Sequence, residues 1–149
     1  MRLIARINGM HALIDCLLYY PGILAPFPIT MLVDTGASCS CLLQDHVHYF
    51  QIPYNRLADA DNHVSTASGR VIPKILPNVD LILPVKNEPN FTQTTLCTIH
   101  FDRFQILPPS RRYVPILRNR VVSIIGMDVL REFKRWHWDW NSSELILDE

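Results

Sequence analysis

Short runs of apolar residues, many alternating with polar residues, recur along the chain and are separated by turn signals. This pattern is typical of β-strands and not of long amphipathic helices. The clearest case is the alternating segment from Arg2 to Ile7, which is followed by Asn8-Gly9, a strong hairpin signal. The other predicted strands are Met10 to Tyr20, Ile29 to Val33, Ala37 to Leu43, His63 to Thr66, Arg70 to Ile75, Val79 to Val85, Phe91 to Phe101, Val121 to Ile125, Trp136 to Trp140 and Glu144 to Leu147.

Two short helices are predicted between these strands. The first covers Gln44 to Phe50 and ends before Pro53, because a proline disfavours helical backbone in the residue before it. The second follows Gly126, with Asp128 as its N-cap. Its predicted apolar face consists of Val129, Leu130 and Phe133, and Lys134 and Arg135 are expected at its C-terminus, where positive charge is favourable.

One carboxylate stands at the end of the apolar run Ile29 to Val33, in the turn Asp34-Thr35-Gly36. Burying such an acid is costly unless backbone N–H groups satisfy it. Gly36 helps, because a residue without a Cβ lets backbone amides approach the carboxylate closely. The alternative is an ordinary turn, since Asp, Thr and Gly all favour turns. A second apolar run, Val121 to Ile125 followed by Gly126, favours a functional role for Asp34 over an ordinary turn, because the two segments together resemble a known protein family.

With Asp34-Thr35-Gly36 followed by Ile124-Ile125-Gly126 and a short helix, the chain resembles the retropepsin-like aspartic proteases, including the protease-like domain of DNA-damage-inducible proteins. In retroviral-type enzymes the later strand packs beside the catalytic turn. The resemblance covers most of the chain. It implies a mostly β, closed, single-lobe acid protease fold with one or two short helices, formed as one domain by residues 1–149.

The resemblance also implies roles for individual residues. Asp34 would be the catalytic acid, Thr35 would contact its counterpart across a dimer axis, and Gly36 would donate its backbone N–H toward the carboxylates. Ala37, Ser38 and Gly126 would bind substrate, and Gly126 would also let the later strand pass close to the turn. The expected flap, the hairpin that covers substrate, has its tip at Ala67, Ser68 and Gly69, although any surface hairpin would show the same pattern.

The activity implied is peptide-bond hydrolysis by a homodimer. Two carboxylates must share one water, one acting as base and the other as acid. No second Asp-Thr-Gly or Asp-Ser-Gly occurs in the chain, so a second copy must supply the other Asp34. Retroviral enzymes often carry an acid and an arginine that pair at the positions of Ser38 and Met127. Because both are missing here, a catalytically silent peptide- or protein-binding module of the same dimeric fold stays an alternative.

Composition narrows the possible partners and location. The 149 residues contain 14 Lys+Arg and 14 Asp+Glu, so a net charge of zero gives no reason to expect a nucleic acid or an acidic membrane. The apolar segment Ala12 to Ala25 is interrupted by Asp15 and Pro21 and is too short to span a membrane. A signal peptide is the alternative for this segment. Reduced thiols in a cytoplasmic protein are the simpler account of the four cysteines.

No cofactor and no metal are expected. Cys39, Cys41, His46 and His48 suggest zinc, but two histidines two residues apart on a helix point to nearly opposite faces. If that segment were extended, the pair could share an ion.

Two further segments give weaker predictions. Asp102 to Asn119 contains three prolines and four arginines and is predicted to be a long loop with some strand. The C-terminal hairpin carries three tryptophans, which are costly to expose, so it is expected either to form a dimer interface or to pack on its own domain.

Overall fold

The computed structural model describes residues 1–66, 69–109 and 123–149 and confirms the mostly β architecture. The strands are β1 (Arg2–Asn8), β2 (His11–Tyr19), β3 (Phe27–Val33), β4 (Cys41–Leu42), β5 (Ala58–Asp59), β6 (Val64–Thr66), β7 (Gly69–Val71), β8 (Lys74–Lys86), β9 (Thr94–Ile106), β10 (Ser123–Ile125), β11 (Arg135–Asp139) and β12 (Glu144–Asp148). The helices are α1 (Gln44–Tyr49), α2 (Met127–Leu130) and a 3-10 turn at Tyr54–Arg56.

Ten of these strands form one sheet in the order β11-β12-β1-β2-β3-β10-β4-β9-β8-β5. Strand β8 also pairs with the beginning of β1 and the end of β2, so the sheet curls back on itself. The side chains that this curled sheet encloses form the main core, which includes Leu3, Ile14, Leu18, Met31, Leu81, Leu83, Phe104, Ile125, Leu130 and Leu147. Strands β6 and β7 form a separate two-stranded hairpin.

Several predicted elements are confirmed with small shifts of their ends. The Asn8-Gly9 turn joins β1 to β2 in an antiparallel pair, and Gly9 has a positive φ of 62°. The predicted C-terminal hairpin is β11 and β12. Strand β10 runs parallel to β3, as expected for the strand beside the Asp34 turn. Two residues of that predicted strand, Val121 and Val122, lie outside the described residues.

Three sequence predictions were wrong. The predicted strand from Ala37 to Leu43 is a turn followed by only Cys41–Leu42, because its first residues fold back onto α2. Of the segment 102–119, predicted as a long loop with some strand, residues 102–106 continue β9, and residues 110–119 lie outside the described residues.

The other two errors concern α2. Its N-cap is Gly126, and the Asp128 carboxylate instead bonds mainly to a distant segment. The helix ends at Leu130, so Lys134 and Arg135 do not lie at its C-terminus; Arg135 begins β11. Val129, Leu130 and Phe133 are buried as predicted.

None of the helices in the described ranges has the length and apolar character needed to cross a membrane.

Candidate active site

Asp34 follows β3 directly, at the point where β10 runs alongside. Its backbone N–H donates to the carbonyl oxygen of Ile125 at 3.0 Å, which continues the parallel pairing of the two strands. The backbone N–H of Gly36 donates to Asp34 Oδ1 at 2.9 Å, and that of Ala37 donates to the Asp34 carbonyl at 3.2 Å. These bonds hold the carboxylate of a half-exposed side chain in one orientation at the surface.

The other predicted residues of this turn lie around Asp34. Thr35, Gly36 and Ser38 are exposed, whereas Ala37 is half-buried. Exposure leaves the Thr35 hydroxyl and the Gly36 backbone available to a second molecule. The structure therefore brings Asp34, Thr35, Gly36, Ala37 and Ser38 together on one short surface loop.

Gly126 lies against the back of this loop. A Cβ placed on it would lie 2.5 Å from the carbonyl carbon of Cys39 and 2.9 Å from the carbonyl oxygen of Ala37, so only glycine fits without movement of the backbone. The next residue, Met127, donates its backbone N–H to the same Ala37 oxygen at 2.8 Å. The close approach predicted for Gly126 is thus present, and its role in substrate binding stays a prediction.

A buried polar contact that the sequence analysis missed ties the loop to α2. The backbone N–H of Ser40 donates to both carboxylate oxygens of Asp128, at 2.9 and 2.8 Å, and its hydroxyl donates to Oδ1 at 2.6 Å. The Ser40 hydroxyl in turn accepts the backbone N–H of Gly126 at 3.0 Å. Asp128 also accepts the N–H of Val129. Ser40 is 1% exposed. A serine within an apolar run was the sign in the sequence that its hydroxyl would be buried and would need a hydrogen-bond partner.

A second buried hydroxyl connects β10 to α1. The Ser123 hydroxyl accepts the backbone N–H of Leu43 at 3.1 Å and lies 2.6 Å from Nδ1 of His46. Burial lowers the pKa of His46 below its ordinary value. A neutral ring with its hydrogen on Nε2 lets Nδ1 accept the serine hydrogen, which satisfies both groups. Ser123 is fully buried, so the pair is structural and out of reach of a substrate.

The predicted flap corresponds to the hairpin of β6 and β7, where Val64 pairs with Val71. The Thr66 hydroxyl donates to the Gly69 carbonyl at 2.8 Å across the base of the tip. Gly69 is exposed and has a positive φ of 115°. Ala67 and Ser68, the other two residues of the predicted tip, lie outside the described residues.

The positions of the missing ion pair hold side chains of a different kind. Ser38 is exposed, and its hydroxyl lies 3.8 Å from the Cys39 sulfur. Met127 is half-buried and packs against the main core. The mouth of the loop therefore has an uncharged hydroxyl and a thioether where retroviral enzymes often place two charges.

The proposed zinc ligands do not converge within the described part of the chain, which contains no group of three or more His, Cys, Asp or Glu able to hold a metal. Burial raises the pKa of Cys41 to about 12, so its thiol stays protonated. His46 Nδ1 is occupied by Ser123. All four cysteines are free thiols.

Comparison with solved structures identifies the fold. A retropepsin-like aspartic protease from Rickettsia conorii superposes with a TM-score of 0.51 at 20% identity, covering 99% of this chain and 90% of that chain. The EIAV protease complexed with the inhibitor HBY-793 gives a TM-score of 0.39 at 17% identity, covering 83% and 88% of the two chains.

No family model matches the chain, and no curated protein matches it. The first structural likeness nevertheless extends over nearly the whole chain. The chain therefore has a retropepsin-like fold, as its sequence predicts. The narrower resemblance to the protease-like domain of DNA-damage-inducible proteins stays a prediction.

Proposed function

We propose that this chain is an aspartic endopeptidase that works as a homodimer, with Asp34 of each protomer at the two-fold axis. The observation that carries this proposal is the orientation of the Asp34 carboxylate by the Gly36 backbone N–H, at the surface end of two parallel strands. The retropepsin-like fold supports it, because solved proteins with that fold include a protease.

The chemistry follows from placing two such carboxylates around one water. The ionised Asp34 takes a proton from the water, whose oxygen attacks the scissile carbonyl carbon. The protonated Asp34 of the partner subunit donates its hydrogen to the carbonyl oxygen as charge develops there. The C–N bond then breaks as the amine nitrogen receives a proton. Two close carboxylates resist double ionisation, so activity is expected to fall at high pH.

The remaining turn residues support this arrangement. Thr35 is exposed beside Asp34 and would bond to the partner subunit's loop, which fixes the distance between the two acids. Ala37 and Ser38 would bind the backbone of an extended peptide, which adds as a strand between the loop and the flap. The flap residues in this proposal are Ala67, Ser68 and Gly69.

The test is cleavage of a peptide library across acidic to neutral pH by the wild type and by Asp34→Asn. The substitution keeps the size of the side chain and an acceptor oxygen for the Gly36 N–H, but it removes the base. We expect activity to fall by about 10³-fold or more, without a change in fold. Inhibition by a pepstatin-type compound provides a cross-check.

The matched control is Asp45→Asn, which removes an exposed carboxylate from α1. This variant should cleave as the wild type does. Cleavage by Asp34→Asn at the wild-type rate, or full activity in a species that sediments as a monomer, would contradict the proposal.

The missing charges at Ser38 and Met127 support a second candidate, a peptide-binding module of the same dimeric fold. Such a module would bind library peptides in a dimeric form and leave every peptide intact. Mass spectrometry of the peptides after prolonged incubation distinguishes it from an enzyme, because only an enzyme generates new termini.

A further inference from the structure

The turn between β2 and β3 carries the most exposed large apolar side chain among the described residues. Leu24 is fully exposed in this turn, and the two residues after it are exposed as well. The turn is nevertheless fixed in shape, because the backbone N–H groups of Gly22 and Ile23 both donate to the Tyr20 carbonyl, at 2.7 and 3.2 Å. Ile23 also packs against the main core. A turn that is already ordered loses little conformational entropy when a partner covers it.

One flank of this turn is formed by aromatic rings. Phe27 lies opposite buried Leu18, so it projects toward the core side of the sheet, and it is 37% exposed. Its ring centroid lies 6.4 Å from that of Tyr49 on α1, which is 67% exposed. The Tyr20 hydroxyl donates to the Phe50 carbonyl at 3.3 Å, which ties the turn to the end of α1. The exposed rings therefore lie next to the turn on a rigid support.

The other flank is apolar as well. On this face of the sheet, Leu17 lies between Pro28 of β3 and Ile82 of β8, in one row across three strands. Pro28 is exposed, and Leu17 and Tyr19 are half-buried. Because Phe27 and Pro28 are successive residues of one strand, they project from opposite faces. The residues that surround the turn on both faces are called the apolar wedge: Leu17, Tyr19, Leu24, Phe27, Pro28 and Tyr49.

The apolar wedge lies in a part of the molecule that is almost free of charge. No Asp, Glu, Lys, Arg or His occurs between Asp15 and Asp34 in the sequence. Among the described residues that pair with the wedge in the sheet or stack on its rings, Asp80 alone is charged, and its carboxylate lies 2.6 Å from Nδ1 of His100. No Lys or Arg is therefore placed to attract an anionic surface, and the wedge is complementary to an uncharged or zwitterionic one.

We propose that the apolar wedge inserts into the interfacial region of a zwitterionic lipid bilayer. Two apolar faces that meet at an exposed turn need an occupant that surrounds them. A fluid lipid layer does so, whereas a docked protein contacts mainly one face. Leu24 enters the acyl boundary, and Tyr19 and Tyr49, with their apolar rings and polar hydroxyls, lie at the level of the headgroups.

The wedge and the Asp34 loop lie at opposite ends of β3. This strand runs from Phe27 to Val33, so the loop begins roughly 20 Å from the wedge. Apolar groups of peripheral proteins enter a bilayer by about 5–10 Å, so Asp34 stays in water. The inference therefore goes beyond the proposed function and does not depend on it.

Flotation with vesicles of pure phosphatidylcholine tests the proposal on the full chain. We expect the wild type to float with the vesicles when lipid is in excess. Leu24→Ser should bind at least about tenfold more weakly, because it removes a leucine side chain from the apolar phase. The substitution is at a fully exposed position, so folding should be unaffected, and circular dichroism checks this.

The matched control is Leu96→Ser, the same substitution at a leucine that is 66% exposed on β9. This variant should bind the vesicles as the wild type does. Cleavage of soluble peptides should be the same in Leu24→Ser and the wild type, since Leu24 lies far from the Asp34 loop.

A fluorescent label that responds to polarity tests whether lipid surrounds the wedge. The label is attached to Leu24→Cys, Pro28→Cys or Tyr49→Cys, in a background where the two half-buried cysteines are replaced by serine. Adding vesicles should shift the emission to the blue at all three positions, because Pro28 and Tyr49 lie on opposite flanks. The same label at Leu96→Cys should show no shift.

Several outcomes would overturn the proposal. These are a wild type that does not bind phosphatidylcholine vesicles, equal losses of binding in Leu24→Ser and Leu96→Ser, and a blue shift on one flank only. Binding that requires phosphatidylserine in the vesicles would place the contact on a basic surface elsewhere. Dissociation of an oligomer by Leu24→Ser without lipid would make a second copy the occupant. Each of these results would leave the proposed protease standing, and full cleavage by Asp34→Asn would refute the protease and leave the lipid contact standing.

Discussion

The Asp34 loop, residues 34–40, and the β8–β9 hairpin are held together in opposite ways. The two strands of the hairpin are 13 residues long each, and backbone pairing runs along them with one break, at Asn78. The loop region relies on β4, with two residues, and β10, with three. Side-chain contacts therefore take over, and the Ser40–Asp128 contact joins residues 88 positions apart in sequence.

This difference predicts where stability is concentrated. In the hairpin, many equivalent backbone hydrogen bonds contribute to stability, so the loss of one surface side chain should change the free energy of unfolding only slightly. Around the Asp34 loop, a few buried groups each form hydrogen bonds with several others, and the loss of one leaves its partners buried without a hydrogen bond. The same construction presents Asp34 on a rigid base, as the proposed pair of catalytic acids would require.

The largest expected effect is that of Gly126→Ala. The added methyl group would lie 2.5–2.9 Å from backbone atoms of Cys39 and Ala37, which no side-chain rotation can relieve. We expect the free energy of unfolding to fall by about 3 kcal/mol, measured by urea denaturation.

The control for this prediction is Gly9→Ala in the β1–β2 turn. An added Cβ there meets nothing within 4 Å, so only the positive φ of 62° is unfavourable, at about 1 kcal/mol. Equal losses in the two variants would mean that contact between the loop and α2 is not tight.

The next effect is that of Asp128→Ala. The substitution removes the acceptor of the Ser40 N–H and hydroxyl, both buried, and should lower the free energy of unfolding by about 2–3 kcal/mol. Asp128→Asn keeps one acceptor oxygen and should lose less. Asp45→Ala, at an exposed carboxylate, is the control and should be close to neutral. A loss in Asp128→Ala no larger than in this control would show that the buried contact is dispensable.

The same difference explains what sequence could and could not predict. The strands of β1 and β2, the terminal hairpin and the Asp34 turn follow from local alternation and turn residues, which the chain shows directly. The error at Asp128 has another origin. An aspartate just after a glycine satisfies the local rule for an N-cap, but the carboxylate is used mainly by Ser40, and no local pattern reports a partner 88 residues away.

The error at Ala37 to Leu43 has a related cause. The run of small and apolar residues satisfies the pattern of a buried strand. Its first part instead folds back, because the carbonyl oxygen of Ala37 accepts Met127 N–H and Ser40 contacts Asp128. At one end of the β8–β9 hairpin, the strand expected within residues 102–119 is the last part of β9, where Phe104 and Ile106 are core residues.

Acid is expected to lower the stability of the protein by a smaller amount, through protonation of His46. Burial lowers its pKa below 6.5, so below that pH the unfolded chain binds more protons than the folded protein. Its stabilising contribution is complete above pH 6.5 and is lost as pH falls through the pKa of the folded state. We expect the melting temperature of the wild type to fall more steeply with acid than that of His46→Gln.

His48→Gln is the matched control, since His48 is exposed on the same helix and should keep the wild-type pH profile. Ser123→Ala should also remove part of the acid sensitivity, because the Nδ1 contact is lost. If the melting temperature falls equally steeply with acid in the wild type and in His46→Gln, the acid sensitivity belongs to other groups.

The smallest effect is expected in the hairpin, from Leu96→Thr. Leu96 lies opposite Pro84 and is 66% exposed, and threonine suits a strand as well as leucine does. The change in the free energy of unfolding should be within about 0.5 kcal/mol, because no buried group loses a partner. A loss comparable to that of Asp128→Ala would mean that Leu96 is covered in the assembled protein. In that case the loss should shrink when the same variant is measured at a concentration below the dissociation constant of the dimer.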